Sequence, residues 1–188
     1  FFNLQPPTRL RRRDETLSGT LLALTSGQAD LALGASPGPG TTAGLHSQPM
    51  GQVGFVFAVA PHHPLAGDDR PLSDDDLRRH RAVAVADSVQ RGSGLTVSLL
   101  GGQDVFTVPT MQAKLDAQLR GLGCGFLPEP MARPYVETGR LVVRRVARAP
   151  LVAHPRYAWR AGAGPGRGLQ WWVDQLHSPV TRLALLER

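Results

Sequence analysis

The chain has 188 residues, 41% of them apolar and 19% charged. That composition belongs to a globular chain long enough to bury a core, and it excludes a disordered one. Its 21 basic residues outnumber 15 acidic ones for a formal charge of +6, but Lys114 is the only lysine and the arginines are scattered rather than striped, unlike a nucleic-acid-binding surface.

No apolar run reaches the ~18 residues of a membrane span. The single cysteine, Cys124, cannot form an internal disulfide, which points to a reducing compartment. The opening "FFNLQPPTRLRRRDE" sets its basic cluster after apolar residues and offers no small-residue cleavage site, unlike a secretory signal. Without an initiator Met, the sequence is expected to be part of a longer chain.

Residues 8–15, "TRLRRRDE", predict a short strand. A helix follows over 16–27, with Leu17, Leu21 and Leu24 at helical spacing and Gly27 placed to end it. Residues 29–35 are an apolar run of strand length. Strand, helix and strand with short connections predict a parallel sheet. "SPGPGTTAG" is a loop, and "QVGFVFAVAP", residues 52–61, is a strand stopped by Pro61.

The chain then turns polar. Ser73 with Asp76 forms a capping-box-like start to a helix over 74–80, with Asp74 to Asp76 at its N-terminus and Arg78 and Arg79 at its C-terminus. Strands are expected at 82–86 and 105–108, with the loop "DSVQRGSG" after the first. Pro109 and Thr110 open a helix with Met111, Leu115, Leu119 and Leu122 on one side. "GFLP" (125–128) is a strand, "EPMARPYVETG" a broken helix ending at Gly139, and "RLVVRRV" a further strand. "RYAWRAG" places Tyr157 and Trp159 on one strand face. Leu169, Trp172, Val173 and Leu176 give the last predicted helix an apolar stripe.

Gly121, Gly123 and Gly125 alternate in "RGLGCGFLP". A phosphate-cradling loop needs strand, then glycines, then helix, so that free N–H groups face the phosphate. Here the glycines follow a helix, whose C-terminus presents carbonyls. The expectation is structural: Gly121 or Gly123 in a left-handed turn, and Gly125 permitting a close approach.

Three stretches carry a resemblance. "GLGCGFLPEPMARPYVETGRLV" resembles the helix end "a-G-x-G-I", then "x-l-P", a helix and "G-x-L-v" of the effector-binding domain of LysR-type transcriptional regulators. "LTSGQADLALGA" resembles that family's "l-x-x-G-x-l-D-l-a-i", with Gly27 and Asp30 matching. "FVFAVAPHHPLAGDDRPLSDDDL" resembles its "l-v-l-v-x-p-x-x-H-P-L-a" and "s-l-x-d-L", with His63, Pro64 and Leu65 as the tripeptide. The three occur in the family's order and cover nearly the whole chain.

The resemblance implies an α/β fold of two Rossmann-like lobes joined by two crossover strands, as in type 2 periplasmic binding proteins. Lobe I would be residues 1–60 and 155–188, and lobe II residues 61–154, with crossovers near Val59 to His62 and Leu151 to Arg156. It implies a cytoplasmic effector sensor, not an enzyme, that takes a small molecule in the inter-lobe cleft and controls DNA binding and transcription by the full-length protein. It further implies a homodimer or homotetramer without cofactor or metal. DNA contact would come only through an N-terminal winged helix-turn-helix outside this sequence. The first strand of the effector domain is expected to lie outside it too, with "FFNLQPP" as the end of the following helix. The alternative is a type 2 solute-binding protein or an enzyme on the same fold, which would need a signal peptide or a converging acid, base or nucleophile.

In open parallel sheets ligands sit beyond the C-terminal strand ends. The loops there are 14–16, 34–36, 86–88 and 108–110. Thr16, Ser36, Ser88 and Thr110 offer hydroxyls beside helix-start N–H groups, and Ala35 and Asp87 lie in the same loops. Gln112 and Phe126 are candidate walls, and the ligand is expected to be a carboxylate or a polar aromatic. Each hydroxyl has a competing role as the cap of its own helix.

Other constellations point to structure. His62 and His63 are adjacent and diverge, which suits a loop or hinge rather than a metal site. Asp74 to Asp76 suit a solvated helix start. Asp87 has no second acid or base placed beside it, and Ser93 lacks the flanks of a nucleophile elbow. Cys124 is expected to be buried and inert. Trp171 and Trp172 cannot both face one core.

Overall fold

Residues 9–36, 44–67, 69–89, 98–162 and 166–187 are described in this computed structural model. In chain order the helices and strands are α1 (Ser18–Thr25), β1 (Leu31–Ala35), β2 (Leu45–Pro49), β3 (Val53–Val59), α2 (Asp74–Arg78), β4 (Ala82–Val85), β5 (Val105–Val108), α3 (Met111–Leu119), β6 (Gly125–Pro128), α4 (Glu129–Glu137), β7 (Val142–Arg144), β8 (Val152–Ala153), β9 (Arg156–Arg160), α5 (Arg167–His177) and α6 (Pro179–Leu186). The chain divides into two units, Phe1–Gly51 with His154–Leu186, and Gln52–Ala153 with Glu187–Arg188.

In the first unit β1 and β2 both pair antiparallel with β9, giving the order β1-β9-β2. The parallel sheet expected here is therefore not what forms. Residues 9–16 form no strand. Arg9, Arg11 and Arg13 alternate with Leu10, Arg12 and Asp14, so neither face of such a strand would be apolar enough to bury. Leu24, Ala32, Ala35 and Ala158 form one small core under α1. Val173 and Leu176 are buried on the predicted stripe of α5, and Leu176 meets Met50 and Tyr157. Tyr157 and Trp159 share a face, with parallel rings 5.8 Å apart. The Trp171 and Trp172 rings meet edge to face at 4.9 Å.

In the second unit β3 pairs antiparallel with β6 (Phe57↔Phe126) and β7 (Ala58↔Val143), and its start pairs with β8. β4 and β5 pair in parallel, and a parallel bridge between Ala82 and Cys124 ties them to β6. Side chains alternate across β3. Phe57 and Val59 join Leu65, Leu72, Leu77 and Cys124, while Ala58 joins Leu115, Leu127, Ala132 and Leu141. These two clusters pull β3 into the second unit, although the sequence assigns it to lobe I. The chain accordingly passes between units at Gly51–Gln52, earlier than Val59 to His62, and at Ala153–His154.

Local chemistry explains the elements. Ser73 Oγ accepts from Asp76 N–H while the Asp76 carboxylate accepts from Ser73 N–H, a complete capping box on α2. Arg70 first, then Ser73, hold the Asp76 carboxyl well below the usual carboxylate range. α4 is not broken: Pro134 sits inside it, because burial of Ala132 and packing of Met131, Tyr135 and Val136 keep the helix on the sheet. The tripeptide is structural too. His63 Nδ1 accepts from Leu65 N–H at 3.2 Å, Pro64 opens a 3-10 turn over Pro64–Gly67, and Leu65 enters the core. The predicted helix end "FFNLQPP", the tip of the "SPGPGTTAG" loop and Ser93 lie outside the described residues.

At the glycine corner, Gly121 takes φ +71°, the left-handed turn that ends α3. A Cβ on Gly123 would lie 2.7 Å from the Arg81 carbonyl oxygen. Gly123→Ala must therefore push β4 and β6 apart, and a loss of about 1–3 kcal/mol is expected. Gly101, where a Cβ meets nothing within 4 Å, is the control. Urea denaturation of Gly101→Ala should stay within about 0.5 kcal/mol of the wild type.

Candidate functional site

The second unit brings three predicted site residues together. Val85 is in register with Val108, and Ala86 N–H donates to the Val108 carbonyl at 2.8 Å. Asp87 and Ser88 thus leave β4 beside the Pro109–Thr110 turn that leaves β5, at the C-terminal edge of a parallel pair. Asp87 Oδ1 accepts from Val89 N–H at 3.1 Å, so this carboxylate shapes its own turn. Thr110 is the N-cap of α3, its Oγ1 accepting from Ala113 N–H at 3.1 Å. Thr110 is exposed, so capping leaves one edge of the hydroxyl open to solvent. Gln112 is also exposed and donates to Asp116 Oδ1 at 3.1 Å along the helix surface.

Phe126 lies elsewhere. It meets Phe57 edge to face at 5.4 Å and lines a cavity of about 20 Å³ with Leu77, Ser98, Leu100, Lys114 and Cys124. The sequence reading passed over Lys114. The signals were its uniqueness among 21 basic residues and its place four residues before Gln118, on the buried side of α3. Cys124 is buried, as expected, and burial pushes its thiol up to about 11.

In the first unit the predicted residues fare differently. Ala35 is fully buried in the core, so its methyl is unavailable and only its backbone could face a ligand. Ser36 is exposed just past β1. Thr16 does not follow a strand, since residues 9–16 form none; its carbonyl accepts from Gly19 N–H at 3.0 Å at the entry to α1. The cap position of α1 belongs to Leu17, without a side-chain cap.

Among the described residues no group of three His, Cys, Asp or Glu side chains is arranged to hold a metal ion. No described helix is long and apolar enough to cross a membrane. His62 and His63 diverge: the His62 ring lies where a side chain on Gly121 would be, while His63 faces His80 with ring centroids 5.2 Å apart.

Comparison with known proteins decides the family. The profile described as the LysR substrate binding domain matches residues 1–179. The chain belongs to this family. The LysR-type domain is 35% identical over 179 residues to an uncharacterized HTH-type transcriptional regulator, YeeY, of Escherichia coli, covering 94% of the chain and 57% of the relative. It is 38% identical over 112 residues to the HTH-type transcriptional activator AllS of Klebsiella pneumoniae, covering 60% of the chain and 42% of the relative. The chain thus spans about half the length of these curated relatives.

Solved structures show the same fold. The regulatory domain of the LysR family regulator MetR from Neisseria meningitidis matches with TM-score 0.61 at 17% identity, covering 87% of this chain and 78% of that one. Full-length LysG of Corynebacterium glutamicum with bound effector Arg matches with TM-score 0.61 at 21% identity, covering 93% and 57%. The fold is the two-lobed α/β fold of type 2 periplasmic binding proteins.

Two outcomes follow from this geometry. Thr110→Ala removes the cap of α3 and should cost about 1 kcal/mol, read by urea denaturation, whereas Thr110→Asn should cost only a few tenths of that. His63 is held below its usual 6.5 by burial first, then by His80 and His62. Protonation therefore favours the unfolded chain. The contribution of His63 is complete above pH 6.5 and is lost as pH falls toward the lower native value. The urea midpoint should drop between pH 7.5 and pH 5, and His63→Gln should shrink that drop.

Proposed function

We propose that this chain is the effector-sensing part of a LysR-type transcriptional regulator. In this reading a small molecule binds at the loops where β4 and β5 end, and its binding controls how the full-length protein engages DNA. The observation that carries the reading is the register Val85↔Val108, with the hydrogen bond from Ala86 N–H to Val108 O. It supports a shared edge at which Asp87, Ser88 and Thr110 meet the N-terminal N–H groups of α3. Such an edge favours an anionic or hydrogen-bond-accepting group. A carboxylate or a polar aromatic acid is the class that fits.

Gln112, on the first turn of α3, is proposed as a flank of this site. Thr16, Ser36 and the backbone of Ala35 are proposed as ligand contacts in the first unit. Phe126, whose cavity lies at the other end of β4, is left outside this site. A sensor works only if the ligand binds two states of the full-length protein with different affinity. The relatives named as transcriptional regulators and the LysG structure with bound effector support that role here. The proposed assembly is a homodimer or homotetramer, with DNA contact through a segment beyond this chain.

A thermal-shift screen of small carboxylic acids and aromatic acids tests the reading, because binding to the native form raises the melting temperature. A hit should bind Thr110→Asn, which keeps the helix cap, at least tenfold more weakly by isothermal titration. Unchanged affinity in that variant removes Thr110 from the site. A hit that leaves DNA binding by the full-length protein unaltered overturns the sensor role.

A further inference from the structure

α3 turns Lys114 inward with Leu115, Ala117 and Gln118, leaving the lysine 9% exposed. Among the described residues the ion pairs of the second unit all use arginines, and no carboxylate or acceptor engages the Lys114 ammonium. Its Nζ lies 3.2 Å from where a Cβ on Gly125 would be, so the absent side chain makes room for the charged head. Gln118 Nε2 lies the same 3.2 Å from that point, donates to the Ala58 and Gly125 carbonyls, and brings no negative charge. Lys114 also sits in the first half of α3, where the helix dipole opposes a cation.

A largely buried ammonium without a protein partner is costly, and a counter-ion held in the adjoining cavity offsets that cost. The space for one is present: Lys114 lines the cavity of about 20 Å³, beside Phe57, Leu77, Ser98, Leu100 and Phe126. A water-sized particle needs roughly 10–15 Å³ of such space. Burial pushes Lys114 down to about 8. At pH 7 about nine in ten of these side chains still carry the charge. The titratable group facing it is the Cys124 thiol, which stays neutral there because burial pushes it up to about 11.

We propose that the Lys114 cavity is a binding site for a small monovalent anion, the size of chloride or of a carboxylate head group. It lies at the Ala82–Val83 end of β4, away from the loop at Ser88, and does not depend on the sensor reading above. The chain has a single lysine, so protein labelled with 13C at lysine Cε gives one lysine signal whose pH titration reports Lys114 alone.

Titrations in chloride, in formate and in sulfate, at equal ionic strength, form the test. Chloride or formate should raise the Lys114 midpoint by about one pH unit, the shift of a tenfold binding preference for the charged form, relative to the larger sulfate. A rise with both anions, or with chloride alone, assigns an inorganic-ion site; a rise with formate alone assigns recognition of organic carboxylates. Lys114→Met should fold, melt at least as high as the wild type, and lose the chloride or formate binding that isothermal titration detects in the wild type. One midpoint in all three salts, or chloride or formate binding that survives in Lys114→Met, overturns the proposal.

Discussion

Two backbone hydrogen bonds hold the sheet of the second unit in one piece. Cys124 N–H donates to the Arg81 carbonyl and Val83 N–H donates to the Cys124 carbonyl, each at 2.9 Å. Through them β4, and with it β5, joins the antiparallel strands β6, β3 and β7. Each bond contributes only about 1 kcal/mol net. Their consequence is positional: they set where β4 ends, and so where Asp87, Ser88 and Thr110 meet. The approach is possible because residue 123 has no side chain to strike Arg81. The alternating glycines of the corner thus serve three tasks: a left-handed turn at Gly121, a backbone contact at Gly123, and room for Lys114 and Gln118 at Gly125.

The family motifs acquire physical meaning in the same way. Gly27 takes φ +77° just past α1, and three residues later Asp30 accepts from Arg160 at 3.1 Å. The same guanidinium donates to the Leu24 and Ala29 carbonyls at 3.1 and 2.7 Å. Arg160 therefore adds a second donor to the Leu24 carbonyl near the end of α1, reaches the Ala29 carbonyl beyond it, and fixes that segment to β9. Asp30 orients the arginine. In the second unit the tripeptide at His63 serves a turn and a core, not a ligand. The motif residues are legible because, in this chain, each answers a local backbone demand.

Where the sequence speaks through periodicity or capping, it speaks clearly. The strands at 105–108 and 125–128 and the capping box at Ser73 form as the pattern predicts. Where it has no pattern, it is silent or misleading. β2 is "LHSQP", without alternation, and exists because β9 offers it a partner five residues long. Residues 9–16 carry β-like spacing of arginines but no apolar face, and no strand results. The parallel sheet expected in the first unit does not form because residues 9–16, the first strand of the expected pair, form none, and β1 pairs antiparallel with β9. β9, distant in sequence, comes between β1 and β2 instead. Of the candidate site, the strand-end hydroxyls of the second unit were legible from topology. Ala35 was not, since which face of β1 is buried depends on α1 and β9 together.

The electrostatics of the second unit extend this argument toward ligand class. Asp74, Asp75, Asp104 and Glu129 are each paired with an arginine at the surface, and the buried Asp76 is paired with Arg70. These pairs leave the Lys114 ammonium at one end of β4 without a carboxylate, whereas at the other end the N-terminal N–H groups of α3 lie beside the Asp87 turn. Exposed pairs stabilise little on their own. Their effect on recognition is larger, because carboxylates already engaged at the rim cannot neutralise the interior. At Lys114 the proposed anion would meet attraction, because these acidic side chains are already engaged by arginines.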